Sequence, residues 1–600
     1  MQGKEQETLR DTFLGIESSI TGKRWEERLK DHRSALALSQ RLGLPEIIGR
    51  LLAARGVTLD TAEAFLKPTL RDWLPDPSVL KGMDDATARI LKALEQKEKI
   101  AVFGDYDVDG ATSSALLIHY FKSIGVEIAV HIPDRVSEGY GPNLPALLNL
   151  QQQGCSLIIT VDCGTSAFEA LEGAQQAGLD ILVIDHHEAE ALLPPAVAVV
   201  NPNRQDETRE YGSLAAVGVV FLVLVALNRR LREANWLGKQ NIREPNLMSL
   251  LDLVALGTVC DVVPLSGLNR AYVSQGVKVL AKRHNPGIVA LSDVAKLSEK
   301  PDSGHLGYTL GPRVNAGGRV GQSWLGAKLL STENTDEALK IALQLEEYNS
   351  ERKTIETDVL DQALGTIGNE TELKGIAIAS GEGWHPGVIG IVASRLKDRY
   401  NMPSLVIAFD ENGIGKGSGR SVPGVDLGAA VIAARQAGLL ENGGGHAMAA
   451  GLTVHQENYQ ELCQFLSERL SKALSEVSYT PSIGIDGALQ PGGASTDLID
   501  LLDSCGPFGV GNPQPRFVLP SVRVLRPGLV GESHVRCILS GSDGKTIKGI
   551  AFRSLDNELG QLLLNTGGMP IHVCGKLKRD TWSGPDGVQI IIEDAAPING

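Results

Sequence analysis

The sequence predicts a multidomain α/β protein that ends in a small β-barrel, and three features of its hydrophobic pattern support this. From residue 100 onwards, short runs of β-branched residues alternate with helical stretches, as they do in parallel α/β sheets. The alternation starts again near residue 375, after a long polar segment with helical spacing. Beyond residue 480 the helical periodicity fades into five strand-like segments, which suit a small barrel such as the OB fold.

A chain of 600 residues is too long for one hydrophobic core, so several domains are expected. The changes of pattern along the chain predict where these domains begin and end. We assign a lead-in that packs on the first α/β domain (residues 1–95), the first α/β domain itself (96–323), a connector helix (324–365), a second, smaller α/β domain (366–478) and the barrel (479–600).

The composition is that of an ordinary globular protein, with 42% hydrophobic and 22% charged residues. No segment approaches the roughly 18 apolar residues of a membrane helix, and the N-terminal residues MQGKEQETLRDTFLG lack the apolar core of a secretory signal. Seven cysteines without a CxxC pair argue against a disulfide framework or a zinc ribbon. We therefore expect a cytoplasmic protein with reduced cysteines and no membrane partner.

The net charge of −15 argues, taken alone, against a nucleic-acid partner, because evenly spread negative charge repels phosphates. A metal-binding acidic site would account for several of the carboxylates, and a positive groove depends on the local distribution of charge. The net charge therefore does not predict the function, which has to be predicted from the sequence motifs.

The predicted strands of the first α/β domain are, in order, IAVF, VEIAVHI, SLIITVD, ILVID and VAVV. The carboxyl ends of parallel strands open onto one edge of a sheet. Side chains that follow these strands can therefore converge although they are far apart in sequence.

Acidic residues and histidines follow several of these strands. The segment FGDYDVDG places three carboxylates directly after the first strand, where they repel each other unless cations or protons offset them. VDCG and IDHHE end two later strands, and ALGTVCDVVPL carries an aspartate after a helical run. Each segment alone fits a solvated turn or a helix cap as well as a metal site. The residues concerned are Asp105, Asp107, Asp109, Asp162, Asp185, His186, His187 and Asp261.

The second α/β domain contains the glycine-rich segments GEGWHPGVIGIVASRL, GKGSGRSVPGVDL and GGGHAMAAG. Glycine-rich turns let backbone N–H groups approach an anion, and the Arg420 guanidinium is a forked donor suited to a phosphate. Taken singly, each segment could equally be a structural turn, with His446 as a packed histidine.

Together these segments resemble the DHH phosphoesterase family and its accompanying DHHA1 domain. The resemblance implies a centre for two Mn²⁺ or Mg²⁺ ions, in which Asp105 and Asp185 orient neighbours and His187 contacts the phosphate. It further implies that Ser418, Arg420 and His446 bind substrate. Many members carry a histidine where this chain has Phe103, so one nitrogen ligand of the second ion is missing here. The implied metal ligands are Asp107, Asp109, Asp162, His186 and Asp261.

Further segments resemble the long exonucleases of this family that are specific for single-stranded DNA. They are IPDRVSEGYG with Arg135 and Tyr140, GPRVNAGGRVGQ with Arg313 and Arg319, the connector helix, and PFGVGNPQPRF. This likeness implies cleavage from the 5′ end that releases 5′-mononucleotides, in DNA repair and recombination. Arg135, Arg313, Ser418 and Arg420 would contact phosphates, and Tyr140 would stack on a base.

The barrel has few aromatic residues, so it either extends the track for the single strand or binds a partner protein. Its aromatics are Phe508, Phe517, Phe552 and Trp582. The resemblance implies a single-stranded-DNA-binding protein and a helicase as partners of a monomer. Two other functions remain open: a phosphodiesterase for short oligonucleotides or cyclic dinucleotides, and a non-catalytic single-strand-binding scaffold.

Overall fold

The computed structural model describes residues 12–135, 137–367, 374–476, 480–580 and 587–598. The chain forms two compact units, and each contains segments that are distant in sequence. The larger unit consists of residues 74–263 and 275–479, and the smaller one of residues 1–73, 264–274 and 480–600. Trp582 lies outside the described residues.

The described part of the lead-in up to Trp73 contains one short strand and four α-helices. These are β1 (Arg24–Glu27), α1 (His32–Leu42), α2 (Glu46–Ala54), α3 (Ala62–Leu66) and α4 (Leu70–Trp73). Buried residues of α1 and α2 belong to one hydrophobic cluster with residues of the C-terminal barrel. We expected all of residues 1–95 to pack on the first α/β domain, whereas the structure groups the part up to Trp73 with the barrel. The apolar faces of α1 and α2 are covered there.

The first α/β domain is built on a five-stranded sheet in which every pairing is parallel. The strand order is β3-β2-β4-β5-β6. Because helices cover the sheet, its central strands are mostly apolar and almost fully buried. The elements are α5 (Met83–Gln96), β2 (Lys99–Gly104), α6 (Val108–Ser123), β3 (Ala129–His131), α7 (Leu144–Gln152), β4 (Cys155–Val161), α8 (Phe168–Gln176), β5 (Asp180–Ile184) and β6 (Ala198–Val200).

A helical region follows this sheet. Helix α9 is apolar on most of its surface and correspondingly buried, so it acts as a core helix of the unit. The elements are α9 (Ala216–Glu233), α10 (Trp236–Gln240), α11 (Leu251–Cys260), α12 (Gly267–Leu280), α13 (Pro286–Val294), a π-helix (His305–Leu310), α14 (Gly311–Val320), α15 (Leu325–Ser331) and α16 (Thr335–Ile367).

The connector differs from the single helix expected over residues 324–365. Helix α15 stops at Ser331 because Thr332 adopts an extended conformation. The Asn334 side chain then accepts hydrogen bonds from the backbone N–H groups of Asp336 and Glu337, which begins α16. The long helix therefore starts at Thr335.

The second α/β domain has a mixed sheet of order β10-β11-β9-β8-β7, in which only β7 and β8 pair in parallel. Its helices bury their apolar faces against the sheet in two hydrophobic clusters. The elements are β7 (Ala377–Glu382), α17 (Ile389–Tyr400), β8 (Ser404–Phe409), β9 (Ile414–Arg420), α18 (Leu427–Gln436), β10 (Asn442–His446), β11 (Ala449–His455) and α19 (Tyr459–Glu476).

The C-terminal strands form a barrel, which is closed by the pairing of β14 with β17. Two helices, α20 and α21, accompany the strands and were not expected from the sequence. Phe517 is buried in this core, whereas Phe552 is exposed. The elements are β12 (Ser482–Ile485), β13 (Gly487–Ala488), α20 (Thr496–Ser504), β14 (Phe517–Val530), β15 (His534–Ser540), β16 (Thr546–Ala551), α21 (Glu558–Leu564), β17 (Ile571–Arg579) and β18 (Val588–Pro597).

Arg270 ties together the three chain segments of the smaller unit. Its fully buried guanidinium donates hydrogen bonds to the backbone oxygens of Phe65, Cys505 and Gly506, at 2.6 to 3.0 Å. Its carbon Cζ also lies 3.7 Å from the centre of the Phe65 ring. Within the described residues we find no helix with the length and apolar character needed to cross a bilayer.

Candidate metal centre and phosphate cluster

The predicted acidic residues meet at the carboxyl edge of the parallel sheet. Strands β2, β4 and β5 are neighbours, and Asp105, Asp162 and Asp185 follow their last residues directly. The backbone N–H of each of these three residues donates to the next strand: Asp105 to Val161, Asp162 to Ile184 and Asp185 to Val200. The sheet itself therefore fixes the spacing of the three carboxylates.

The first turn of α6 fixes two more carboxylates. Asp107 caps the helix, and one of its oxygens accepts hydrogen bonds from the N–H groups of Asp109 (2.8 Å) and Gly110 (3.1 Å). Asp109 is fully buried, and its two oxygens accept bonds from the N–H groups of Ala216 (2.6 Å) and Val217 (2.9 Å), where α9 begins. Both carboxylates are thus held by helix N-termini, which favour negative charge.

His186 lies between two of the aspartates. Its Nε2 is 3.3 Å from an Asp162 oxygen, and its Nδ1 is 3.6 Å from an oxygen of Asp261, which ends α11. Asp162 has a φ of +61°, a left-handed conformation that aspartate adopts at a cost. Burial and the neighbouring imidazole of His187 lower the pKa of His186 to about 4, so the ring is neutral and able to donate a lone pair.

Asp185 acts as an anchor for the two histidines. One of its oxygens accepts from the N–H of His186 (2.8 Å) and from Nδ1 of His187 (2.7 Å), and the other accepts from the N–H of Thr165 (3.0 Å). Burial opposes its charge, but the bonds from His187 and Thr165 outweigh this and keep its pKa below the ordinary value. The Tyr140 hydroxyl approaches the His187 ring at 3.3 Å and donates to the Asp162 carbonyl at 3.1 Å.

Two asparagines after β6 donate hydrogen bonds to the backbone of His186 and His187. Asn201 donates to the His187 carbonyl (2.8 Å) and to the Thr165 hydroxyl (2.9 Å). Asn203 donates to the His186 carbonyl (2.6 Å). The sequence analysis did not single out these residues, although their place after a strand of the same sheet was a usable signal.

The electrostatics of the cluster fit divalent cations. Burial, followed by repulsion from neighbouring aspartates, raises the pKa values of Asp105, Asp162 and Asp261. One oxygen of each is buried and accepts no hydrogen bond from the described residues. Such atoms are costly unless a cation or a proton satisfies them.

Three sets of residues bring one potential ligand atom each within 4.8 Å of one another. These sets are Asp105 with Asp107 and Asp162, Asp109 with His186 and Asp261, and Asp162 with His186 and His187. Oxygens with an imidazole nitrogen suit Mn²⁺, and oxygens alone suit Mg²⁺ or Mn²⁺. The residues present therefore fit the expected ions.

Phe103 has a carbon ring at the position where many members of the family have a histidine. Its ring is fully buried and packs on the His131 ring, with 5.0 Å between the ring centres. This position offers no ligand atom in this chain.

A cluster of arginines lies in the same unit. Burial and the nearby charges of Arg135 and Arg352 lower the pKa of Arg319 to about 10. Arg420 likewise has a lowered pKa, through burial and then through Arg135. The Arg420 guanidinium donates to the Ser418 hydroxyl at 3.1 Å. Repulsion among these guanidinium groups favours the binding of an anion, and a phosphate suits them. Arg319 was not among the residues predicted to contact a phosphate.

Glycine makes room for the Arg420 pair. A Cβ added to Gly390, in the first turn of α17, would lie 3.0 Å from both the Arg420 guanidinium and the Ser418 hydroxyl. The absence of a side chain at Gly390 therefore allows α17 to lie close to the Arg420 and Ser418 side chains of β9.

The remaining predicted residues lie as follows. Arg135 is exposed, and its Cζ lies 5.2 Å from the centre of the Tyr106 ring. His446 is exposed at the end of β10. Arg313 is engaged elsewhere, since its guanidinium is ion-paired with Glu346 and donates to the Thr309 carbonyl. The structure thus does not place Arg313 in the arginine cluster, and its predicted phosphate contact stays a prediction.

Three family models match the chain in the order expected. The N-terminal domain of the DHH family matches residues 99–258, the DHHA1 domain residues 373–472, and the RecJ OB domain residues 485–594. With the carboxylate cluster at the sheet edge, these matches define a phosphoesterase of the DHH class. They also confirm the predicted succession of a parallel α/β sheet, a second α/β domain and an OB barrel.

Similarity to individual proteins extends over most of the chain. The single-stranded-DNA-specific exonuclease RecJ of Escherichia coli is 36% identical over 566 residues, which cover 92% of this chain and 96% of that protein. The protein of the same name from Bacillus subtilis is 32% identical over 582 residues, covering 96% and 71%. The chain belongs to the RecJ family. The crystal structure of RecJ in complex with Mn²⁺ from Thermus thermophilus matches with a TM-score of 0.79 at 25% identity, covering 95% of this chain and 79% of that one.

Proposed function

We propose that this chain is a metal-dependent exonuclease that hydrolyses single-stranded DNA from its 5′ end and releases 5′-mononucleotides. The observation that carries the proposal is the set of buried carboxylate oxygens without hydrogen-bond donors at the sheet edge. Relatives that span most of the chain are named single-stranded-DNA-specific exonucleases, and solved RecJ structures contain Mn²⁺ or Mg²⁺.

Each group of residues has a distinct part in this function. Bound divalent cations would offset the charge that develops on the attacking and leaving oxygens of a phosphodiester. The Arg319 and Arg420 guanidinium groups and the Ser418 hydroxyl would hold a substrate phosphate by charge-assisted hydrogen bonds. His187, whose Nδ1 is bonded to Asp185, would offer a phosphate oxygen its Nε2, which the Tyr140 hydroxyl approaches at 3.4 Å. The residues that would hold the cations are Asp107, Asp109, Asp162, His186 and Asp261, beside Asp105.

The test uses one long single strand, labelled at its 5′ end in one sample and at its 3′ end in another, with Mn²⁺. We expect the 5′ label to appear at once in mononucleotides, while the 3′-labelled strand shortens gradually. A blunt duplex of the same sequence should resist digestion. Early release of the 3′ label, or equal digestion of the duplex, would contradict the proposal.

Two alternatives predict different results in this assay. A phosphodiesterase for short oligonucleotides or cyclic dinucleotides would leave the long strand intact. A non-catalytic scaffold would bind the strand without degrading it. Candidate ligand residues stand at the sheet edge at every expected position except that of Phe103, which favours catalysis over the scaffold.

The cellular setting is part of the proposal. We place the enzyme in the cytoplasm, in DNA repair and recombination, where a helicase would supply single strands. A single-stranded-DNA-binding protein is the second partner that this role implies. We expect a monomer, which light scattering of the purified chain would test.

A further inference from the structure

Tyr308 has the highest exposure of the large hydrophobic side chains in the described residues, at 88%. Its ring is presented almost completely to solvent. Single exposed apolar residues are common and need no explanation by themselves. The surroundings of the ring therefore decide whether it has a function.

Tyr308 lies on the π-helix that leads into α14. Leu306 and Leu310 of the same helix are fully buried, so the backbone is firmly seated while the tyrosine faces outwards. π-Helical turns are rare, and they occur frequently at functional sites. The ring is thus an exposed aromatic surface on a well-anchored helix.

The π-helix rests on the end of α11 that carries Asp261. The Cys260 thiol donates to the Leu306 carbonyl at 3.5 Å. Gly311 packs so closely on Cys260 that an added Cβ would lie 2.4 Å from the sulfur. Tyr308 is therefore mounted on the helix end that supplies a candidate metal ligand.

The backbone beside Asp261 is itself unusual. Val262 has a φ of +63°, and its side chain is 66% exposed. A β-branched residue avoids this conformation, and such strain clusters at functional sites. Two exposed apolar side chains thus flank the end of α11.

The two basic side chains nearest to Tyr308 in the sequence are already engaged. Nδ1 of His305 lies 2.7 Å from an Asp302 oxygen, and the Arg313 guanidinium is bonded to Glu346 and to the Thr309 carbonyl. The chemistry that this surface can offer a nucleic acid is therefore an aromatic face rather than a phosphate grip. Every nucleobase has a π-face, so such a contact tolerates any sequence.

We propose that Tyr308 is a stacking platform for a nucleobase of the single strand, beside the metal centre. This inference rests on the proposed function and extends it to a further substrate-binding residue. Base stacking on an aromatic side chain typically contributes about 1–3 kcal/mol, which corresponds to a loss of roughly five- to 150-fold on truncation.

The test compares Tyr308→Ala, Tyr308→Leu and Tyr308→Phe in the full chain, using steady-state cleavage of a long single strand with Mn²⁺. We expect Tyr308→Ala and Tyr308→Leu to lower kcat/KM about tenfold, mainly through KM. Tyr308→Phe should retain the parent value, because the π-face remains. Leu343→Ala, which removes an exposed apolar side chain from α16, is the control and should have no effect.

The outcomes separate this inference from the proposed function. An active parent whose Tyr308→Ala variant is unchanged would overturn the stacking platform alone. A Tyr308→Leu variant that behaves like Tyr308→Phe would do the same, since apolar area and not the ring would then be responsible. A parent inactive on the single strand would overturn both.

Discussion

Asp162 combines a central strand end, a left-handed backbone and a buried oxygen without a hydrogen-bond donor. We expect Asp162→Ala to abolish cleavage, with a loss on the order of a thousandfold, because a ligand shared between metal sites supports the charge stabilisation. The variant should stay folded, since the substitution relieves repulsion among carboxylates. Circular dichroism and single-turnover cleavage measure the two effects, and Asp206→Ala, which removes a surface carboxylate, is the control. An active Asp162→Ala enzyme would refute the metal assignment.

Arg420 separates substrate binding from metal binding. Its guanidinium contacts Ser418 and the Gly419 carbonyl and none of the candidate ligands in the described residues. We expect Arg420→Ala to leave Mn²⁺ affinity unchanged and to lower cleavage efficiency about ten- to a hundredfold, as a charge-assisted fork to a phosphate is lost. Arg420→Lys should restore only part of this. Calorimetric Mn²⁺ titration beside cleavage kinetics checks both, and lost metal affinity would show that the residue is misassigned.

For individual residues, the sequence predicted the positions of the acidic residues and histidines better than those of the arginines. Strand ends in a parallel sheet converge by topology, so Asp105, Asp162 and Asp185 could be placed together in advance. Arginine has a long side chain whose direction depends on its neighbours. Arg313 and Arg319 lie in one segment, yet Glu346 engages the first while the second joins the cationic cluster. No local pattern distinguishes the two.

Among the elements, the turn after β6 has a testable role in metal binding. Asn201 supports the His187 carbonyl and the Thr165 hydroxyl, and Thr165 in turn donates to Asp185. We expect Asn201→Ala to weaken Mn²⁺ binding about ten- to a hundredfold, as the loss of such outer partners does at other metal sites.

Asn228→Ala is the matched control for this prediction. Asn228 is similarly buried and bonded, to the Tyr120 hydroxyl and the Pro245 carbonyl, but away from the histidines. Both variants should lose stability, and only Asn201→Ala should lose metal affinity by calorimetry. If the two variants had equal affinities for Mn²⁺, the turn after β6 would have a purely structural role.

The elements themselves were predictable to different degrees. The central strands β2, β4 and β5 are mostly apolar without alternation, as expected for a sheet that is covered on both faces. Helices α20 and α21 were not predicted because each is short and lies between strands. Their caps were visible, however: Ser495 and Asn557 accept the capping hydrogen bonds.

For the whole molecule, the carboxylate cluster predicts how stability depends on pH without metal. A carboxyl whose pKa is raised in the folded state, as at Asp162, contributes stability that is lost as the pH rises above the unfolded value of about 4. Asp185, with a lowered pKa, contributes above that value and loses its effect only in acid. The melting temperature in EDTA should therefore fall from pH 5 to pH 8.

Metal ions should reverse this loss. Saturating Mn²⁺ at about a hundred times its dissociation constant adds about 2.7 kcal/mol. Thermal melts with and without Mn²⁺ at both pH values test this, and Asp162→Asn should flatten the dependence seen in EDTA. A metal-free protein that is most stable at pH 8 would contradict the prediction.

We expect that a substitution in the smaller unit can lower the stability of that unit without affecting metal binding. Arg270→Ala would remove the guanidinium donors of the Phe65 and Gly506 backbone oxygens, at about 1–3 kcal/mol for each buried group left unsatisfied, while the Cys505 oxygen keeps the hydrogen bond from Asn512. We expect early proteolysis within residues 12–73 and unchanged Mn²⁺ affinity. Arg283→Ala, which removes a surface ion pair with Asp293, should behave like the parent. Uniform cleavage of both units by the protease would count against a separate smaller unit.

The composition of that smaller unit also bears on how the protein is made. Helices α1 and α2 of this unit share a hydrophobic core with strands that begin beyond residue 480. These helices leave the ribosome well before those strands and must wait for them. The larger unit can meanwhile fold from its own intervening sequence. Any premature stop before the barrel would leave the apolar faces of α1 and α2 exposed, which marks the incomplete chain for chaperones and proteases.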